Sequence, residues 1–189
     1  MKKPSNPSPF LIQRSQLGDQ AAFEEIFHQY KNLVFKTAYL MLNNREDAED
    51  ILQAVFIKVY QNMGSYNPTK GAFTTWLHRI TVNECLNWRR KLRFKFLSFT
   101  RAEEHRSSTP NPEEHVLEDQ TMRQALEKLS DKLRAVVVLR YYWNSSYAEI
   151  ADTLNIPLGT VKSRLSQAIE KLGKTLANVE FRPSEKVSE

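Results

Sequence analysis

Apolar side chains recur at steps of three and four over residues 19–42, at Phe23, Ile26, Phe27, Tyr30, Val34 and Ala38, and this spacing predicts an amphipathic helix. Asn43 and Asn44 interrupt it. A second helix is predicted from about Glu46. The carboxylates Glu46, Asp47, Glu49 and Asp50 complement the positive end of its dipole, while Ile51, Val55, Phe56 and Val59 point inward. Residues 64–71, Gly-Ser-Tyr-Asn-Pro-Thr-Lys-Gly, are a run of turn formers and read as a loop. Beyond them Phe73, Trp76, Leu77, Ile80 and Trp88 mark a third helix, with Trp76 on its apolar stripe, that runs out into Arg89, Arg90, Lys91, Arg93 and Lys95.

The period is lost from about residue 94 to 119, where Ser107-Ser108-Thr109-Pro110-Asn111-Pro112-Glu113-Glu114 has the composition of an exposed linker. After it, residues 122–129 form a short helix. Ser130 is placed to N-cap the next one, over residues 131–143, which is expected to bury Leu133, Val136, Val137 and Tyr141. Ser146 and Glu149 stand in capping-box spacing at the head of Tyr147–Leu154, Asn155-Ile156-Pro157 makes a turn, and a last helix covers residues 158–176. The predicted class is all-α, with two small helical domains joined by a flexible linker. The expected boundaries are a disordered tail over 1–9, a first domain over 10–94, the linker over 95–119, a second domain over 120–178 and a tail over 179–189. The two modules are expected to stand apart.

Composition supports a helical globular protein: 41% of residues are apolar, 26% are charged, and there are only five glycines. No run approaches the roughly 20 apolar residues of a membrane span, and no apolar segment follows Lys2 and Lys3 as in a signal peptide. A cytoplasmic location without membrane insertion is expected. Cys85 is the one cysteine, set within a helical pattern, and reads as a packed thiol; His28, His78, His105 and His115 share no metal-ligand spacing. Neither a metal nor another cofactor is expected. No Gly-rich phosphate loop or nucleophile–base pair stands out either, which argues against an enzyme. The net charge of +5 suits a polyanionic partner, and the basic residues gather in two places: 89–95, and Lys162, Arg164, Lys171 and Lys174.

Two helices joined by so short a turn, apolar at Ile150 and Leu154 and then at Val161, Leu165, Ala168, Ile169 and Leu172, fit a helix-turn-helix. With that stripe packed inward, the last helix presents Thr160, Ser163, Ser166 and Gln167 beside Lys162 and Arg164. These are short hydrogen-bonding groups and cations that could reach base edges and phosphates in a major groove. The solvated face of an ordinary bundle would have the same composition. The run Tyr147 to Arg164, with Ile156-Pro157-Leu158-Gly159-Thr160-Val161-Lys162-Ser163-Arg164 at its centre, resembles region 4 of the major bacterial sigma family, whose equivalent helix reads the promoter −35 element.

Three further blocks resemble region 2 of the extracytoplasmic-function (ECF, group 4) sigma factors in order and spacing. They are Leu17-Gly18-Asp19-Gln20-Ala21-Ala22-Phe23, residues 48–60, and Phe73-Thr74-Thr75-Trp76-Leu77-His78-Arg79-Ile80-Thr81-Val82-Asn83. The resemblance implies that Asp50, Gln53, Ala54, Phe56, Ile57 and Lys58 meet the coiled coil of the polymerase β′ subunit. A carboxylate-rich helix start suits a basic partner, though simple dipole capping would also account for the acids. It also implies that the loop holding Tyr66, Asn67 and Lys70 and the helix after it capture the −10 element as a single strand with a base flipped out. Arg79 and Asn83 lie four apart on one face, a phosphate-binding fork beside an amide, and Arg89, Arg90 and Arg93 extend the charge. Asn87 departs from the Asp common in the family at that position.

The resemblance thus implies a sigma factor that directs core RNA polymerase to promoters. Its first domain would hold the enzyme and the melted −10 strand. Its second would lie on the β flap and read double-stranded −35 DNA, and an anti-sigma factor would be a further partner, releasing it under stress. A linker of about 25 residues spans roughly 80 Å if extended, enough to bridge both promoter contacts, and its acids Glu113, Glu114, Glu118 and Asp119 could lie in the enzyme's basic channel. The alternative is a stand-alone helix-turn-helix regulator, which has no use for the 50–60 surface.

Overall fold

A computed structural model of the chain describes residues 5–98 and 117–180, with side chains over 5–94 and 121–177. Most of the expected linker, residues 99–116 with Glu113 and Glu114, lies outside the described residues, as does the tail from 181. The described residues form eight α-helices: α1 (Pro9–Gln16), α2 (Gln20–Leu42), α3 (Arg45–Asn62), α4 (Phe73–Ser98), α5 (Leu117–Glu127), α6 (Asp131–Val137), α7 (Tyr147–Leu154) and α8 (Leu158–Glu180). No strand occurs among them.

The first four helices make a bundle. Ile26, Tyr30, Val34, Ala38 and Met41 of α2 meet Ile51, Val55 and Val59 of α3 and Phe73, Leu77, Val82 and Cys85 of α4, all buried. Asn43, left-handed at φ 55°, closes α2, and the Asn44 side chain accepts from Asp47 N (2.9 Å) to open α3. The sequence reading missed α1. Its signals are Ser8, which accepts from Leu11 N (3.2 Å), and Pro9 at the first helical position. The expectation of a loose tail up to residue 9 also needs correcting for residues 5–9. The Tyr30 hydroxyl donates to Ser5 O (2.5 Å), and Asn6 Oδ1 accepts from Thr74 N (3.1 Å), satisfying an orphan donor at the head of α4.

Cys85 is fully buried, and that burial, helped by the nearby Glu84, pushes its thiol up to about 12. A thiol reagent at neutral pH is therefore expected to label the folded chain far more slowly than the denatured one. Comparable rates in the two states would show that the α4 core opens readily.

In the second bundle α8 packs on α5, α6 and α7. Its buried positions are Val161, Leu165 and Ala168, with Leu172 half-buried, a stripe that leaves out Ile169, which is 50% exposed and was expected inside. Tyr141, expected inside, is likewise exposed, and Trp143, which the sequence reading left unassigned, is buried. A π-helical turn over Val138–Tyr142 follows α6, and its wider winding rotates every later residue off the register that Leu133 and Val137 set. Ser130 occupies the N-cap position of α6 without a side-chain bond.

The two bundles do not stand apart. Trp143, wholly buried, donates its indole N–H to Thr37 Oγ1 of α2 (2.7 Å) and sets its ring edge-on to buried His78 of α4. Arg134, also buried, donates to the Leu126 (2.8 Å) and Glu127 (2.8 Å) carbonyls of α5 and, across the junction, to Met41 O of α2 (2.6 Å). One cation thereby satisfies the exposed carbonyls of two helix ends. Burial, and then Arg89 nearby, bring Arg134 down to about 10, so it stays charged at neutral pH. No local pattern predicts this docking, since each contact joins residues far apart along the chain.

Candidate nucleic-acid interface

The loop between α3 and α4 is held from inside. Tyr66 is buried, its ring against Phe73 and half-buried Trp76, and its hydroxyl donates to Gly71 O (3.0 Å). Gln16 of α1 donates to Met63 O (3.1 Å) and Tyr66 O (2.7 Å). Tyr66 is therefore an internal strut of the loop, a correction to its expected role as an open stacking ring. Asn67 and Lys70 are exposed, and Asn67 Oδ1 accepts from Thr69 N (2.9 Å), the local turn that Asn favours. Beside the loop a cleft of about 480 Å³ is lined by Pro7, Ile12, Gln13, Gln16, Pro68 and Phe73, among others. Gln13 and Gln16, which line this cleft, are not singled out by the sequence reading, and the signal for them was the Ser8-Pro9 start of α1.

Along α4, Arg79 and Asn83 are both exposed and share a face, as the spacing required. They line a second cleft, of about 440 Å³, whose other wall is residues 151–156 at the end of α7. Exposed Arg90 donates to Asn87 Oδ1 (2.8 Å), so the amide oxygen at position 87 still orients one arginine, without a carboxylate's charge. Arg89 and Arg93 turn towards the second bundle. Asp131 accepts from Arg93 Nη2 (2.9 Å) and forms an ion pair with Arg89 (Nε to Oδ1, 2.5 Å), while Arg89 donates to Met41 O (3.0 Å).

On α3, Asp50, Gln53 and Ile57 lie outward on one side with Tyr60, which is 52% exposed and adds a ring to that face. Ala54 is half-buried, and Lys58 is exposed and paired with Glu84 (2.6 Å). Phe56 is buried at 5% exposure, edge-on to Phe27 and Phe23, as its place on the inward stripe predicts, and it supports this face from below. The residue is apolar at a position shared with Val55 and Val59, and burial was the simpler reading.

The helix-turn-helix forms as predicted. Ser146 Oγ accepts from Glu149 N (3.2 Å) and Glu149 Oε2 accepts from Ser146 N (2.8 Å), so the capping box is complete. Asn155, left-handed at φ 51°, ends α7. Lys162, Ser163, Ser166 and Gln167 are exposed on α8, while Thr160 and Arg164 are half-buried at its edge; Ser163 Oγ donates to Thr160 O (3.1 Å). Ser146→Ala removes the cap of the supporting helix and is expected to cost about 1 kcal/mol in denaturant unfolding. A loss near zero would mean that α7 is held by packing alone.

The fold thus places a loop-side cleft and the exposed Arg79, Asn83 and Arg90 on a first helical unit and an exposed helix-turn-helix on a second, a layout suited to a nucleic-acid-binding protein. The family profile Sigma-70 region 2 matches residues 26–95, and Sigma-70, region 4 matches residues 119–172. The ECF RNA polymerase sigma factor SigW of Bacillus subtilis is 35% identical over 180 residues, covering 89% of this chain and 96% of that protein. The ECF RNA polymerase sigma-E factor of Escherichia coli is 32% identical over 174 residues, covering 86% and 90%. Among solved structures, the sigma factor RpoE of Bartonella quintana, crystallised with the anti-sigma factor NepR, shares the fold at a TM-score of 0.72 and 22% identity, over 82% of this chain and 96% of that one. This chain belongs to the sigma-70 family, as an ECF sigma factor.

Proposed function

We propose that the chain directs core RNA polymerase to a set of promoters, binding melted −10 DNA with its first unit and duplex −35 DNA with its second. The observation that carries this reading is the presence of region 2 and region 4 matches, in that order, on one chain whose two units each expose a group suited to nucleic acid. Asn67 and Lys70 on the loop, with Arg79, Asn83 and Arg90 on α4, take the unpaired strand. The cleft behind the loop, walled by Pro68, Phe73 and the α1 glutamines, takes an extruded base in this reading, with the exposed Gln13 amide to replace part of its lost hydrogen bonding. Lys162, Ser163, Arg164, Ser166 and Gln167 enter the −35 major groove, with Thr160 at its edge. The outward side of α3, from Asp50 and Gln53 to Ile57 and Tyr60, meets the β′ coiled coil, and the second unit lies on the β flap.

The chain performs no chemistry of its own in this scheme; the polymerase carries the active site. It works in the cytoplasm, and among the described residues no helix is long and apolar enough to cross a membrane. An anti-sigma factor is its proposed regulator. Run-off transcription with purified core polymerase over a genomic template library is expected to give transcripts that depend on this chain. Absence of a transcript from every template, with failure to co-purify with core enzyme, would instead favour a stand-alone helix-turn-helix regulator.

A further inference from the structure

The cleft behind the loop has two walls of different origin. Tyr66, Pro68 and Phe73 lie within the region 2 match, which begins at residue 26, whereas Asn6, Gln13 and Gln16 come before it. This earlier wall is tied to three other parts of the bundle. Ser5 O accepts from the Tyr30 hydroxyl of α2 (2.5 Å), Asn6 Oδ1 accepts from Thr74 N at the head of α4 (3.1 Å), and Gln16 is bonded to the loop itself. A wall held at so many points is preorganised, and its polar atoms meet an occupant in a set direction.

Gln16 is the residue whose direction can be read. A primary amide carries two N–H donors and one oxygen acceptor. Both donors are spent on carbonyls of the loop, Met63 O (3.1 Å) and Tyr66 O (2.7 Å). Reversing the amide would set its own oxygen against theirs, so the network fixes the orientation. What Gln16 has left to offer in the cleft is Oε1, which only accepts. Gln13, three residues earlier and exposed, can present either end of its amide. The four bases differ at the corner that a fixed acceptor meets: adenine and cytosine carry an exocyclic amino group there, guanine and thymine a carbonyl oxygen. An amino group completes a bond to Oε1. A carbonyl leaves two acceptors facing each other without a proton between them, and a buried polar group left unpaired costs more than the bond is worth.

We propose that Gln16 is a specificity-determining residue of the −10 contact: held as an acceptor by the loop carbonyls, its Oε1 selects for the cleft a base with an exocyclic amino group, adenine or cytosine, over guanine or thymine. This deepens, and rests on, the reading of the cleft as the place of the extruded base. It also makes α1, which precedes the region 2 match, part of the promoter reader. Chains alike in region 2 but different at this position would then favour different bases.

The test uses the chain bound to core polymerase and a forked duplex with a single-stranded −10 segment, taken from a promoter found by run-off transcription. Each −10 position in turn receives an abasic sugar, and each adenine or cytosine is replaced by purine or 2-pyrimidinone, which lack only the amino group. At least one position is expected to lose binding when abasic and, by about tenfold, when the amino group alone is missing. Whether purine or 2-pyrimidinone has this effect tells adenine from cytosine. Gln16→Met keeps the length of the side chain and loses both ends of the amide; it is expected to abolish the tenfold difference between base and analogue and to leave duplex −35 binding unchanged. A residue that only braced the loop would weaken base and analogue alike and preserve the difference between them, and that result overturns the proposal. It is equally overturned if amino removal has no effect at any abasic-sensitive position, in which case a base is captured but Gln16 does not read it. If no abasic position weakens binding, or no promoter is found, the capture of a −10 base fails and the role of Gln16 fails with it.

Discussion

Trp143→Ala is expected to lower the stability of the full chain by about 3–5 kcal/mol, read as a large fall in the urea midpoint. Trp143 is the largest of the fully buried side chains, and it is shared between the two units. Truncation empties a space that α2, α4 and the π-helical turn cannot all close at once, because each is fixed by its own bundle. It also removes the indole donor to Thr37 Oγ1, although that hydroxyl retains its own bond to Leu33 O (2.7 Å). Trp143→Phe keeps most of the apolar volume and loses the N–H, so its cost should be closer to 1–2 kcal/mol, about the value of the bond and the part of the ring removed. The two variants together separate filling from bonding. A Trp143→Ala loss below about 1 kcal/mol would mean that the ring does not anchor the junction in solution.

Lys162→Ala with Arg164→Ala is expected to weaken duplex −35 binding of the polymerase-bound chain by ten- to a hundredfold, on the order of two lost phosphate contacts, and to reduce the log–log salt slope by about 2. Lys162 is exposed and Arg164 half-buried beside Thr160, at the edge of the face that Ser163, Ser166 and Gln167 occupy. Cations at the edge of a recognition helix neutralise the backbone on either side of the groove, so their loss should be nearly uniform across sequences. Ser166→Ala and Gln167→Ala are expected to behave differently: little change in salt slope, with altered preference between −35 sequences, because uncharged groups that reach base edges release no counterions. Binding is measured by anisotropy over a salt series. An unchanged slope in the double variant would remove α8 from the DNA.

The same contrast between local and distant causes separates what could be read early from what could not. Helices α2, α3, α7 and α8 follow from residues a few positions apart: the step of three and four in Phe23 to Ala38, the acids at the head of α3, the Ser146–Glu149 box and the turn at Asn155. The face shared by Arg79 and Asn83 is of this kind, as are the exposed positions of α8. These features rest on short-range geometry, and the order of the two motifs along the chain was sufficient to point to the family. The errors were of two sorts. Tyr66 is of the first sort: an amphipathic ring on a loop suits either side, and only the packing of Phe73 and Trp76 around it decides which. Tyr141 and Ile169 were placed inside by extending an ideal period through places where one extra residue in a π-helical turn, or a narrow contact stripe, shifts the register.

By itself the sequence determined helices α2, α3, α4, α7 and α8, the Ser146–Glu149 capping box, the two-unit organisation and the charged faces, because each depends on residues within a turn or two of one another. Tertiary structure alone decided that Gln16 of α1 ties down the loop between α3 and α4 and Asn6 the head of α4, and that Trp143, Arg134 and Asp131 bring the second unit onto the first. Thr37 and Trp143 lie 106 positions apart, and Met41 and Arg134 lie 93 apart. Nothing in the local chemistry of either member of such a pair names its partner; a threonine hydroxyl or a helix-end carbonyl is satisfied equally by water until the fold brings the right donor to it.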